Sequence, residues 1–323
     1  MAFHPNSHTF TTHWKATFFV DPIPYTLSPT PHPPSPTPHP SPMLNWLLEP
    51  LSFEFMRNAL AVGILIGILC PVIGTYLIVQ RMSLLGDVMA HSVLPGLAIA
   101  FFLRINILVG AFVSGLISAL MIAWIRSQTR IKVDAAMAIV FSSFFALGIL
   151  LITLLRNKLD LDSFLFGDIL GVTQQDVVRT ALIVAIVLVL VRLFYKELLF
   201  YTFDRLGAQA IGLPVEGLYL GLMAAVALTI IASMQTVGVV LVVAMLVSPG
   251  TTAYLLVKEL HQMMGLGALL GVIANLGGMY ASYYLNVPSG PCIVLLSFSL
   301  LLLTLLLSPS QGLLTRDRNA KKA

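Results

Sequence analysis

Long apolar runs follow one another along most of this chain, and they leave few folds open to it. The runs begin after Arg57 and are separated by short polar stretches. Most approach the roughly 20 residues that an α-helix needs to cross a bilayer. Because backbone groups in lipid must be satisfied internally, the runs predict an all-α polytopic membrane protein. The predicted spans lie near residues 59–79, 87–103, 107–125, 135–155, 179–195, 217–233, 236–257, 265–285 and 290–307.

Composition agrees with a membrane protein. The 323 residues are 58% hydrophobic and only 10% charged, with a mean hydropathy of +0.92, whereas a soluble domain carries about 25% charged residues. The second apolar run is short and contains proline and glycine, which indicates a broken or re-entrant segment. We therefore predict eight to nine transmembrane segments. Cys70 and Cys292 lie in apolar runs and suggest neither a disulfide framework nor a thiolate metal site.

The basic residues predict the orientation of the chain. With nine spans and the amino terminus outside, twelve basic residues fall in cytoplasmic loops and five on the other side. Lysine and arginine concentrate in cytoplasmic loops, so we predict a multi-pass protein of the cell membrane with a cytoplasmic carboxy terminus. Their scatter among loops argues against nucleic-acid binding. The twelve are Arg81, Arg126, Arg130, Lys132, Arg192, Lys196, Arg205, Lys258, Arg316, Arg318, Lys321 and Lys322, and the five are Arg57, Arg104, Arg156, Lys158 and Arg179.

Three regions divide the chain. Residues 1–42 include a proline-rich run that cannot form helix or sheet, so we predict a disordered leader. This leader lacks the features of a signal peptide. Membrane-compatible sequence opens at Met43, which makes Met43 a candidate for the true start, with the leader left untranslated. Residues 43–312 form the predicted transmembrane domain, and residues 313–323 form a basic cytoplasmic tail.

One polar pair interrupts the second apolar run. Asp87 and His91 are four residues apart, which on a helix places them on one face. There a carboxylate oxygen and an imidazole nitrogen could share one divalent cation, and ionisable residues at membrane depth commonly mark transport pathways. Gly86 and Pro95 can interrupt the helix, as happens at the ion sites of transporters. Two structural alternatives stay open: Asp87 caps a helix that begins after Gly86, or His91 satisfies a backbone carbonyl.

The longest polar connection on the predicted cytoplasmic side covers residues 195–214. Within it Asp204, Ala208 and Gly212 recur every four residues, so on a short helix they would form a narrow ridge of small residues. Such a ridge suits docking in a groove of a partner, and the competing interpretation is incidental spacing in a loop helix. The chain has no Walker-type phosphate-binding loop, so any ATP-driven work must come from another polypeptide.

Four segments, in order along the chain, resemble the metal-type ABC permeases, which import manganese, zinc or iron in bacteria. The resemblance covers roughly residues 50–310, and within the family it is closest to bacterial and cyanobacterial manganese permeases. The long proline-rich leader is the departure from the family. The four segments are residues 82–96 (MSLLGDVMAHSVLPG), 133–149 (VDAAMAIVFSSFFALGI), 164–170 (FLFGDIL) and 203–214 (FDRLGAQAIGLP).

The resemblance implies a homodimer with the pathway near its twofold axis, two cytoplasmic ATPase subunits and an extracytoplasmic metal-binding protein. It implies that Asp87 and His91 are the metal ligands. It also implies that Asp204, Ala208 and Gly212 belong to an ATPase-coupling helix. Two ligands per chain would leave manganese undercoordinated, and a dimer would supply two aspartates and two histidines. The expected function is import of a divalent metal, manganese ahead of zinc or iron, without catalysis and without a permanently bound cofactor.

Other polar residues have weaker functional interpretations. Asp134 follows a basic loop and is explained as a charge at a helix N-terminus. Residues 234–238 and 248–252 bring polar groups and helix breaks near apolar spans, where they line the pathway or assist close helix packing. Three aspartates lie in the predicted external loop, where the alternatives are attraction of cations, contact with the binding protein, or simple solvation, which we favour; they are Asp160, Asp162 and Asp168.

Two other functions compete with metal import. A permease for a metal chelate of the siderophore or cobalamin type should be longer and would not need an Asp/His pair. An intramembrane enzyme would use Asp87 and His91 catalytically, but the chain has no recognisable nucleophile and no second intramembrane aspartate in a Tyr-Asp setting. Co-purification with an ATPase separates the metal permease from the enzyme, and uptake of bare metal separates it from the chelate permease.

Overall fold

The computed structural model describes residues 49–155, 167 and 169–307. Within these ranges the chain is entirely helical, with two 3₁₀ turns and no β-strand, so the all-α prediction is confirmed. The 3₁₀ turns are Pro50–Ser52 and Ile169–Gly171. The described α-helices are α1 (Glu54–Val79), α2 (Leu85–Ser92), α3 (Leu94–Phe102), α4 (Ile107–Gln128), α5 (Val133–Leu154), α6 (Gln174–Leu193), α7 (Tyr195–Phe203), α8 (Arg205–Ala210), α9 (Val215–Val237), α10 (Val239–Leu256), α11 (Leu260–Leu285) and α12 (Ser289–Leu307).

Each of the nine predicted spans corresponds to a helix or to a pair of helices. Among the described residues, eight segments are long and apolar enough to cross a membrane, and α6 with α7 makes a ninth if that bent pair is one span. α6 and α7 are inclined to each other by 69°. The prediction of eight to nine transmembrane segments is therefore confirmed, and the chain is a multi-pass membrane protein.

The second span is a helix with a local break. α2 and α3 meet at Val93, and Pro95 lies in the first turn of α3, where the missing N–H of proline is tolerated. Together the two helices cover Leu85–Phe102 and are long enough to cross as one span. The structure thus favours the broken helix over the re-entrant loop.

Burial separates a central group of spans from a peripheral one. α1, the α2–α3 span and α9 have most of their apolar stretch inside the bundle, whereas α5 and especially α12 are largely exposed. Lipid has no hydrophobic preference for one apolar helix over another, so close packing decides which helices are central. The span that carries Asp87 and His91 is consequently held on several sides by the rest of the chain.

α1 and α10 approach each other so closely at one point that only glycine fits. A Cβ atom built on Gly74 would lie 1.7 Å from the carbonyl oxygen of Leu246. Non-bonded heavy atoms cannot come that close, so the two backbones would have to separate. Small residues at helix crossings are what allows transmembrane helices to pack by direct backbone contact. Gly74 therefore sets the spacing between α1 and α10.

Gly74→Val is expected to destabilise the helix bundle by about 3 kcal/mol, the upper end of the cost of overfilling a packed interior. Thermal unfolding of the purified protein in detergent would record this as a lower midpoint. Gly265→Ala is the matched control, because a Cβ on this α11 residue meets nothing within 4 Å and alanine is the better helix former by about 1 kcal/mol. Equal midpoints for Gly74→Val and the unaltered chain would contradict the close approach.

Several sequence predictions concern residues outside the described ranges. These are the leader at 1–42 with its proposed start at Met43, the basic tail at 313–323, and the external-loop aspartates Asp160, Asp162 and Asp168. The division of the chain into leader, permease domain and tail therefore stays a prediction.

Candidate metal site

Asp87 and His91 lie one turn apart on α2, as their spacing predicted. Oδ1 of Asp87 is 3.5 Å from Nε2 of His91. The side chain of Asp87 is 46% exposed and that of His91 is 18% exposed, so the carboxylate is the outer member of the pair. One cation placed against both atoms would consequently sit at the surface of the single chain.

Neither structural alternative for this pair fits the geometry. α2 begins at Leu85 after the N-cap residue Leu84, and no side chain caps it. The interpretation of Asp87 as the cap of a helix that starts after Gly86 is therefore wrong; Asp87 lies within the first turn, where its charge favours the helix N-terminus. His91 does not satisfy a carbonyl either, since its buried Nδ1 has no hydrogen-bond partner among the described residues and its Nε2 faces Asp87.

Two phenylalanines on α5 position the imidazole. The rings of Phe141 and Phe145 stand edge-on to His91, with centroid separations of 5.3 and 5.4 Å. The two phenyl rings are parallel and 5.8 Å apart. Edge-to-face contacts of this kind restrict how the imidazole can rotate. Sequence reasoning missed this pair, although aromatic residues four apart on a predicted helix share a face and are a usable signal.

α4 secures the break that follows the pair. Ser92 is fully buried at the end of α2, directly before the break at Val93. Ser114 on α4 donates a 2.6 Å hydrogen bond from Oγ to the carbonyl oxygen of Ser92. A carbonyl freed by a helix break inside a membrane has to be satisfied by a neighbour in this way. Ser114 therefore stabilises the break and, with it, the placement of α2.

A single chain provides two ligands at this position. Within the part of the chain that the structure describes, no three His, Cys, Asp or Glu side chains come close enough to hold one metal ion. Carboxylate and imidazole are suitable ligands for manganese, iron or zinc, but two donors do not complete the shell of any of these ions. Further donors have to come from water, from carbonyls or from another chain.

The predicted ridge of Asp204, Ala208 and Gly212 is not a continuous surface, and this prediction was wrong in its geometry. α8 has only six residues, so it ends before Gly212, whose φ is 83°. Asp204 is the N-cap, and its Oδ1 accepts a 2.8 Å hydrogen bond from the N–H of Gly207. Ala208 is fully buried. The helix turns its small residue inward because that side packs against the chain itself.

The exposed side of this segment is apolar. Leu206 on α8 is 79% exposed, and Ile211, directly after the helix, is 68% exposed. Large apolar residues exposed in a polar loop commonly mark a protein contact. Sequence reasoning missed them because it looked for small residues at a fixed spacing, although both stand in the same segment. The coupling role of residues 203–214 stays a prediction.

The remaining polar segments mainly connect helices. Ser248 on α10 donates a 3.2 Å hydrogen bond to the carbonyl oxygen of Ser297 on α12. Arg179 donates to Oε1 of Gln235 at 3.3 Å, which links α6 to α9. Asp134 lies in the first turn of α5, as a charge at a helix N-terminus should. Of the two roles left open for 234–238 and 248–252, these contacts favour helix packing.

The fold and the pair together define a class of protein. A bundle of eight or nine spans, with an ionisable pair on a broken central helix, is the arrangement of a membrane permease. Residues 52–308 match the ABC 3 transport family, and the chain belongs to this family. The resemblance drawn from the four sequence segments is thereby confirmed.

Similar proteins cover nearly the whole family region. The manganese transport system membrane protein MntC of Halalkalibacterium halodurans is 44% identical over 84% of this chain and 94% of its own length. The manganese transport system membrane protein MntB of Synechocystis sp. is 38% identical, with 85% and 90% covered. A Haemophilus influenzae protein named "Probable iron transport system membrane protein" is 40% identical, with 81% and 97% covered.

A solved structure agrees with the fold. The structure of PsaBC from Streptococcus pneumoniae in complex with Fab contains a chain that is 38% identical to this one, with a TM-score of 0.77. The match covers 85% of this chain and 99% of that chain. The arrangement of helices described above is therefore shared over almost the entire length of that protein.

Proposed function

We propose that this chain is the membrane-spanning permease subunit of an ATP-binding-cassette importer for a divalent transition-metal ion, with manganese as the cargo. A separate cytoplasmic ATPase subunit hydrolyses ATP, and an extracytoplasmic metal-binding protein delivers the ion. The carboxy terminus lies in the cytoplasm. The observation that carries the proposal is the Asp87–His91 pair, held 3.5 Å apart on a broken central span in a member of a transport family.

The working unit in this proposal is a homodimer with the pathway between its two chains. Asp87 is 46% exposed in the single chain, and an ionisable side chain that faces lipid would be costly. A second copy related by a twofold axis would cover this face and would add the same two ligands. Two carboxylates and two imidazoles, completed by water, form a donor set that suits manganese.

Manganese is proposed ahead of zinc and iron for two reasons. Carboxylate oxygen without thiolate is a donor set that favours harder ions, and manganese is the hardest of the three. Two of the similar proteins carry manganese in their names and one carries iron. A bare ion fits better than a chelate, because a chelator already occupies the coordination positions of the metal that Asp87 and His91 would fill.

Uptake of radioactive manganese by cells that depend on this permease tests the choice of metal. Unlabelled manganese is expected to compete more strongly than equal concentrations of zinc or iron(II). Elemental analysis of the purified complex after exposure to manganese is expected to find about one ion per pair of chains, as a shared twofold site requires. Stronger competition by zinc or iron would reassign the cargo, and uptake that needs a chelate would refute import of the bare ion.

A further inference from the structure

A strongly basic cavity lies at one end of the bundle. Its volume is about 730 Å³, and neither Asp87 nor His91 lines it. The cavity is surrounded by the ends of α1, α4 and α7, by the start of α5 and by the first residue of α8. Its charged lining consists of five basic residues and one acidic residue, namely Arg81, Arg126, Arg130, Lys132, Arg205 and Asp134.

The five cations have no counter-ion among the residues that the structure describes. None of them forms an ion pair or a side-chain hydrogen bond with any residue that the structure describes, although Asp134 lines the same cavity. Like charges gathered in one concavity repel one another, and an anion that enters relieves this repulsion. The same field disfavours a divalent cation, so the cavity is not a resting place for the transported metal. Its chemistry selects a ligand with more than one negative charge or with phosphate oxygens, to which arginine binds through two parallel hydrogen bonds.

Exposed apolar side chains border the cations and indicate the source of the anion. Phe203 and Ile131 line the cavity and are exposed. Trp124 is also exposed near the end of α4, two residues before Arg126 and therefore on the opposite face of that helix. Tryptophan at the end of a span is typical of the level of the lipid headgroups. A soluble phosphate has no use for this apolar border, whereas the glycerol and acyl portions of a lipid do.

We propose that the cavity binds the headgroup of an anionic phospholipid on the side of the membrane that the charge bias predicts to be cytoplasmic. The arginines and Lys132 hold the phosphate, and Phe203 and Ile131 contact the glycerol and the upper acyl chain. Basic pockets between transmembrane helices on the cytoplasmic side are known to bind such headgroups. Because Arg205 begins α8, a bound headgroup also orients the segment that carries Leu206.

The test compares the complete chain with two double variants in nanodiscs of equal parts phosphatidylglycerol and phosphatidylcholine, and native mass spectrometry counts the retained lipids. Arg130→Gln with Lys132→Gln removes two cavity cations from an exposed loop. Arg192→Gln with Lys258→Gln removes two exposed cations from the same predicted side but outside the cavity, and is the matched control. Phosphatidylglycerol retention is expected to fall about fivefold per removed cavity cation and to be unchanged in the control. Arg130→Lys, which keeps the charge, is expected to retain the lipid.

Four results would overturn the proposal. The first is equal retention of the two lipids by the unaltered chain, and the second is equal loss in the two double variants. The third is full protection against thermal unfolding by inorganic phosphate alone, which would assign the cavity to a soluble anion. The fourth is loss of ATPase co-purification in the cavity variant with unchanged lipid retention, which would assign the cavity to a protein partner.

Discussion

Asp87→Asn and His91→Leu are each expected to abolish metal uptake while the protein still reaches the membrane and still assembles. Asp87→Asn keeps the size of the side chain and removes the anionic ligand, and the carboxylate is 46% exposed beside His91. His91→Leu keeps apolar bulk against Phe141 and Phe145. A loss of about a hundredfold or more is expected, since even changes in the groups that only orient metal ligands cost 10- to 100-fold. Uptake of radioactive manganese, normalised to membrane level, measures the effect.

The chain offers a matched control for each substitution. Asp134→Asn removes the same charge from the first turn of another span, and His261→Leu removes the one other histidine in the described ranges, which is exposed at the start of α11. Both controls are expected to transport normally. Binding of manganese by the purified complex should be lost in Asp87→Asn and His91→Leu alone. Near-normal uptake by these two variants would refute the site and leave the pair without a transport role.

Leu206→Asp is expected to separate the permease from its ATPase without unfolding the membrane domain. Leu206 is exposed and apolar on α8, so an aspartate at this position costs the folded permease little stability. In the complex the same aspartate would be buried against the ATPase without a counter-ion, which weakens binding. Loss of an apolar anchor of this kind typically weakens an interface by about 2 kcal/mol, close to thirtyfold. Ile211→Asp is expected to act in the same way. Co-purification with the ATPase and ATP-dependent uptake are the measurements.

Ala208→Trp distinguishes this apolar surface from the ridge first predicted. Because Ala208 is fully buried, a tryptophan there has to displace neighbouring residues and is expected to lower the thermal stability of the permease itself. The conservative change Leu206→Met is expected to preserve ATPase binding. An intact complex with Leu206→Asp, together with a stable permease that loses its ATPase in Ala208→Trp, would restore the ridge as the docking surface.

The transmembrane architecture could be predicted from the sequence because lipid leaves the backbone no other choice. An apolar segment of about 20 residues has to satisfy its own hydrogen bonds as a helix, so the nine runs determined the element type. The boundaries were less certain. α6 begins at Gln174 rather than near residue 179 because Thr173 and Asp176 form a reciprocal cap, which lets the helix extend into polar sequence.

The ligand pair was also readable from the sequence, because it depends only on local geometry. Residues four apart on one helix face the same way whatever the rest of the chain does. The surroundings of the pair were not readable. Phe141 and Phe145 reach His91 from a helix that begins more than 40 residues after it, and a single sequence does not say which faces of two distant helices will meet.

Only the tertiary structure decided which residues of the coupling segment face outward and which basic residues share a cavity. The spacing of Asp204, Ala208 and Gly212 carries no information on burial, and packing against the chain turned Ala208 inward and left Leu206 and Ile211 outside. The basic residues appeared in the sequence as scattered determinants of topology. Close helix contacts set the spacing that brings the ends of distant spans together, and the contact of Gly74 with α10 is one example. Long-range packing of this kind is a property of the folded chain as a whole.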